Sequence, residues 1–151
     1  MYSKQQASQL RQEFWTVFGQ YMLPVLSAEG LKINWINYKT GVRNIAFRMN
    51  ADHKEAHIAI ELSHKDNSIR LIHFKHLLQF KDQLHEILGE SWLWDEALFK
   101  DGYLISYTGT SITGISIYKK EDWPRIISFF KPRIIALDEF WNNVKYGFEF
   151  M

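Results

Sequence analysis

The spacing of apolar residues changes period four times along this chain, and that alternation constrains its fold more than any single motif. Spacing of three to four residues puts one side of a helix in a core, whereas spacing of two puts alternate residues of a strand there. Near the start, Ala7, Leu10, Phe14, Val17, Phe18 and Tyr21 fall on one helical side. Ser3, with Gln6 three residues on, is a capping-box signature. Pro24 ends the pattern, because proline has no N–H to donate.

Three strand-like runs follow: Leu31 to Tyr38, Asn44 to Met49, and His57 to Ser63. In the third, Ile58, Ile60 and Leu62 face one way, and His57, Ala59, Glu61 and Ser63 face the other. Lys39-Thr40-Gly41 and Asp52-His53-Lys54 are turn signals, and such short connections predict an antiparallel meander. Helical spacing returns from Asn67 to Leu88, with Ile69, Ile72, Leu77, Phe80, Leu84 and Ile87 on one side and Gly89 as the cap. Trp92 to Lys100 and Tyr103 to Thr108 flank Asp101-Gly102, a two-residue hairpin signal. Gly114 to Tyr118 reads as a further strand. The last helix runs from Asp122 to Tyr146 on a stripe of Ile126, Phe130, Ile134, Leu137, Phe140, Trp141 and Val144. Pro132 inside it predicts a kink or a split. The predicted fold is α+β, in the order α-βββ-α-βββ-α. It is one domain over residues 1–151, with an antiparallel sheet of two meanders and three helices largely on one face.

Composition removes several chemistries. The 151 residues include no cysteine, which excludes a disulfide scaffold, a thiol nucleophile and any thiolate metal site. The start lacks a signal-peptide core, and no stretch approaches the roughly 18 apolar residues of a membrane span. A cytoplasmic location is expected, with no membrane partner. Eighteen basic residues against 17 acidic ones give a net charge of +1, without the concentrated basic excess of a tight nucleic-acid binder.

Several strings carry a family resemblance together: ASQLRQEFWTVFGQYM, GLKINWINYKTGV, FRMNAD, IAIELSHKD and KEDWPRIISFFKPRIIALDEFW. The chain resembles the bacterial domain-of-unknown-function family 4268 across nearly its whole length. In larger relatives a similar domain follows a restriction-endonuclease-like domain. The resemblance therefore implies an association with DNA metabolism or defence, by analogy, and no catalytic mechanism.

Four sets of residues are candidates for function. All six histidines lie between His53 and His85, and His73 and His76 are spaced to present two imidazoles to one metal. His53, His57, Glu61 and His64 are the available further ligands, although His73 also fits the apolar stripe of a packed core. Asp52, Glu61 and Lys65 form a broken version of a Mg²⁺-dependent nuclease motif, in which Ser63 stands where the lysine is required. Mg²⁺ is the only cofactor implied, and only on that reading. Lys119, Lys120, Arg125, Lys131 and Arg133 cluster around the last helix beside Tyr118, Trp123 and Phe129, as a nucleic-acid face or an ordinary solvated one. Trp35, Trp92, Trp94, Tyr103 and Tyr107 alternate in strand-like runs, which predicts aromatics on a second sheet face that the helices leave open. The reading favoured is a non-catalytic binding domain that self-associates or docks a protein through that face, with a divergent nuclease as the alternative.

Overall fold

The computed structural model describes residues 2–149. Helix α1 spans Lys4–Met22, and its Ser3–Gln6 capping box is formed in both directions. It buries Phe14, Phe18 and Met22, while Tyr21 of the predicted stripe is exposed. Residues 23–44 then run without a strand. The expected strand Leu31 to Tyr38 is absent for a local reason. The Asn34 side-chain oxygen Oδ1 accepts hydrogen bonds from the amides of Ile36 and Asn37, so the backbone turns instead of extending. Trp35 is buried in this loop, with its indole N–H on the Val25 carbonyl.

Strands β1 (Ile45–Ala51) and β2 (Glu55–Leu62) form the first hairpin. The Asp52 carboxylate closes its turn by accepting from the Lys54 and Glu55 amides. The predicted second helix is two. Helix α2 (Asn67–Leu78) is capped by Asp66, and the chain breaks at Phe80 before α3 (Lys81–Leu88), which ends on left-handed Gly89. The break lets α2 follow the sheet while α3 turns to bury Leu84 against the last helix. The α2 stripe is also rotated from the prediction. Arg70, His73, Phe74 and Leu77 are buried, and Ile69 and Ile72 are exposed.

Strands β3 (Leu93–Lys100) and β4 (Tyr103–Thr113) meet at Asp101 and Gly102, whose φ values of 50° and 85° suit the mirror-image turn of a tight hairpin. Gly114 to Tyr118 is not a strand. Gly114 turns the chain at φ 76°, and the Gly114 and Ile117 amides bond back to the Lys54 and Asp52 carbonyls. Helix α4 (Trp123–Val144) continues unbroken through Pro132. The carbonyl that Pro132 leaves without an amide belongs to Ser128, which is exposed to water.

The sheet is wholly antiparallel in the order β1-β2-β4-β3, four strands rather than two three-stranded meanders. Helices α2 and α4 pack on one face against Phe47, Ile58, Ile60 and Leu62, and α1 joins this core through aromatic contacts with α4. The loop of residues 23–44 is tied to α4 by buried Asp138, which accepts from the Tyr38 hydroxyl and the Ala28 amide. Burial first, then the hydrogen bond to Asp138, push the Tyr38 phenol well above its ordinary range. Among the described residues no helix is long and apolar enough to cross a membrane.

Candidate functional site

The second face of the sheet is the candidate site, and strand register dictates its composition. Residues paired directly across antiparallel strands share a face. Ala46, Glu61, Tyr107 and Asp95 therefore lie in one row, Arg48, Ala59, Gly109 and Leu93 in the next, and Asn50, His57 and Ser111 in a third. The second row is small at its centre. A Cβ on Gly109 would lie 2.7 Å from the Ile58 carbonyl oxygen and 2.9 Å from the Ala59 Cβ, so the inner strands approach closely there.

Two pairings organise the polar side chains of this face. Glu61 is 8% exposed, and its carboxylate lies 2.6 Å from the Lys100 ammonium and 3.7 Å from the Arg48 guanidinium. His57 Nδ1 lies 2.7 Å from the Ser111 hydroxyl, and the Tyr107 ring stands edge-on to the imidazole. Burial lowers the His57 pKa more than the charges of Glu61 and Glu55 raise it, so the ring is neutral at pH 7. Tyr107 is shifted up by burial and by the Asp95 charge.

The five predicted interface aromatics do not share this face. Trp35 is in a loop, and Trp92 precedes β3 with its indole N–H on Glu90. Trp94 points to the helix side, where it meets Phe74 and donates to His85. Tyr103 and Tyr107 remain. Exposed apolar side chains also lie on the outer strand and its turn, at Leu93, Leu98, Phe99, Tyr103 and Leu104, besides those on α1, α2 and the loop of residues 23–44.

Asp52 and Glu61 do not converge. Asp52 pairs with Glu55, and the six residues from there to Glu61 span about 20 Å of strand. Burial acts to raise the Asp52 pKa, but the Lys54 and Glu55 amides with the nearby charges of His53 and Lys54 more than offset it. Lys65 does line the same cleft as Glu61. His73 and His76 are packed side chains. Both ring nitrogens of His73, and Nε2 of His76, are buried without hydrogen-bond partners, and Phe148 packs edge-on to His76 at 4.5 Å. Among the described residues no three His, Asp or Glu side chains gather to hold a metal. The basic cluster is dispersed. Arg133 is clamped by Glu90 and stacked on Phe129, Lys120 pairs with Glu13, and Arg125 reaches the Gly114 carbonyl. Lys119 lies beside Asp122 in a separate depression, and Lys131 is half-buried.

Sequence reasoning missed the partners of Glu61 and the His57–Ser111 pair. Arg48 was within reach of it, because the hairpin turn at residues 52–54 sets the β1–β2 register. Lys100 and Ser111 were not, because their placement depends on β4 entering between β2 and β3.

No curated protein and no solved structure matches the chain. One family model does, described as a domain of unknown function and covering residues 10–145, so the chain belongs to the DUF4268 family.

Proposed function

We propose that this chain is a non-catalytic interaction domain whose docking surface is the outer edge of β3 with the β3–β4 turn, and that the occupant is a second copy of the chain. The observation that carries this reading is the exposure of β3. It is an edge strand bonded on one side to β4, and Leu93, Leu98 and Phe99 are exposed along it. Edge strands of this length and apolarity are templates for further pairing unless something covers them. Charge favours a like partner. Glu96 and Lys100 lie four residues apart on β3, so antiparallel pairing of two copies about Leu98 sets each Glu96 opposite the Lys100 of the other copy. Nuclease chemistry has less support, because Glu61 is already held by two cations and its supposed partner Asp52 is at the far end of the hairpin. A link to DNA metabolism rests on the family resemblance alone, and a pairing domain is a part that such an assembly can use.

Sedimentation equilibrium over about 1–100 μM tests the proposal. The expected result is a reversible dimer that Phe99→Glu converts to a folded monomer. A strict monomer throughout, or a dimer indifferent to Phe99→Glu, would overturn it. So would Mg²⁺- or Mn²⁺-dependent plasmid cleavage that Glu61→Gln abolishes.

A further inference from the structure

The open sheet face holds a cleft of about 540 Å³ beside Glu61, which borders the docking edge at the β3–β4 turn. Its walls come from three places in the chain: Arg48 and Asn50 on β1, Ser63 and Lys65 after Glu61, and the β3–β4 turn from Lys100 to Tyr103. Ile105 forms an apolar part of the lining. We propose that this cleft binds a phosphate monoester.

The charge arrangement points to an anion. Three cations, Arg48, Lys65 and Lys100, face two carboxylates, Glu61 and Asp101. Glu61 is committed inside the protein, where it fixes Lys100 at 2.6 Å. An ammonium has three N–H donors, so two remain on Lys100. The Arg48 guanidinium lies at 3.7 Å from Glu61, too far for a direct hydrogen bond, and its side chain is 57% exposed. Its planar fork is open to a ligand. Among the described residues Lys65 makes no ion pair.

The donor count favours phosphate over carboxylate. A guanidinium, two ammoniums, the Asn50 amide and the Tyr103 hydroxyl offer more donors than two carboxylate oxygens accept. A monoester presents three strong acceptor oxygens and a charge near −2 at pH 7. The cleft exceeds the volume of the phosphate itself, and Ile105 with the Tyr103 ring offers the esterified group an apolar wall.

This inference does not rest on dimer formation, since the cleft opens on the sheet face. The test is amide chemical-shift titration at low salt with phenyl phosphate, inorganic phosphate and acetate, run on the parent chain and on Phe99→Glu. The expected result is saturable shifts at residues 48–50, 61–65 and 100–105, with phenyl phosphate binding most tightly and acetate least. Arg48→Gln and Lys65→Gln each weaken binding about tenfold, and Lys119→Gln, outside the cleft, leaves it unchanged. Glu61→Gln removes the internal counter-charge and tightens binding, the reverse of what a cation site would show. A phosphotyrosine peptide in place of phenyl phosphate tells a protein-borne phosphate from a free one. No saturable shift with any phosphate overturns the proposal, as does equal weakening by Lys119→Gln or weaker binding by Glu61→Gln. Any of these leaves the self-association reading standing.

Discussion

The Lys100 ammonium reaches the Glu61 carboxylate, 2.6 Å away, across the width of β4, so one ion pair joins β2 to β3 although the two strands are not hydrogen-bonded neighbours. The carboxylate end is almost wholly buried and the lysine is about one-third exposed. Removing the cation therefore leaves a buried negative charge with only the more exposed Arg48, 3.7 Å away, to compensate it. Lys100→Met should lower stability by about 1–2 kcal/mol, reduced from the fully buried case by the water that reaches the lysine. Urea unfolding measures it, and the double variant with Glu61→Gln should recover much of the loss.

Gly109→Ala should cost about 1–3 kcal/mol, because the added methyl meets backbone and another Cβ rather than a flexible side-chain end. It also crowds the His57 ring, which would lie 3.1 Å from the new atom. Loss of the His57–Ser111 contact in the imidazole NMR spectrum would accompany the fall in the unfolding midpoint. A cost below about 0.5 kcal/mol would mean that the inner strands are not closely opposed.

Three histidines tie stability to pH. Burial is the largest cause lowering the pKa of His57, His73 and His85 beneath the ordinary 6.5. Above that value both folded and unfolded forms are neutral, and these groups contribute no pH dependence. As pH drops below 6.5 the unfolded chain takes up protons first, so stability falls until the lowered folded values are passed. His73→Leu should flatten part of this slope. At pH 7.5 it should be neutral or stabilising by up to about 1 kcal/mol, since both of its ring nitrogens are buried without partners. A large loss at pH 7.5, or a zinc-dependent rise in Tm that the variant abolishes, would instead mark His73 as a ligand.

Where backbone periodicity and turn chemistry act locally, the sequence was legible. The alternation of Ile58, Ile60 and Leu62 with His57, Ala59 and Glu61 placed the correct residues on the open face, and Asp101-Gly102 predicted its hairpin. Leu31 to Tyr38 misled because its aromatic and β-branched residues have strand propensity, while Asn34 supplies a side-chain acceptor that competes for the backbone. The candidate site was half legible. Glu61 and Lys65 share the cleft, yet the residues that give it a charge pattern come from β1 and from the β3–β4 turn. Their convergence depends on strand order, a long-range property that no local pattern encodes. The tryptophans failed as interface markers for a related reason: Trp92 and Trp94 are half of a structural knot in which His85 accepts from the Trp92 amide and the Trp94 indole.

The absence of cysteine makes the central claim directly measurable. Antiparallel pairing of two β3 strands that sets Glu96 opposite Lys100 places Leu98 on the two-fold axis. A single Leu98→Cys substitution should then form a disulfide-linked dimer under mild oxidation, since facing Cβ atoms in such a pair fall near disulfide distance. Lys119→Cys, far from β3, serves as the control. Self-pairing through β3 predicts rapid cross-linking at residue 98 and little at 119, with the Leu98→Cys link lost in the Phe99→Glu background. Equal, slow cross-linking at both positions would contradict it.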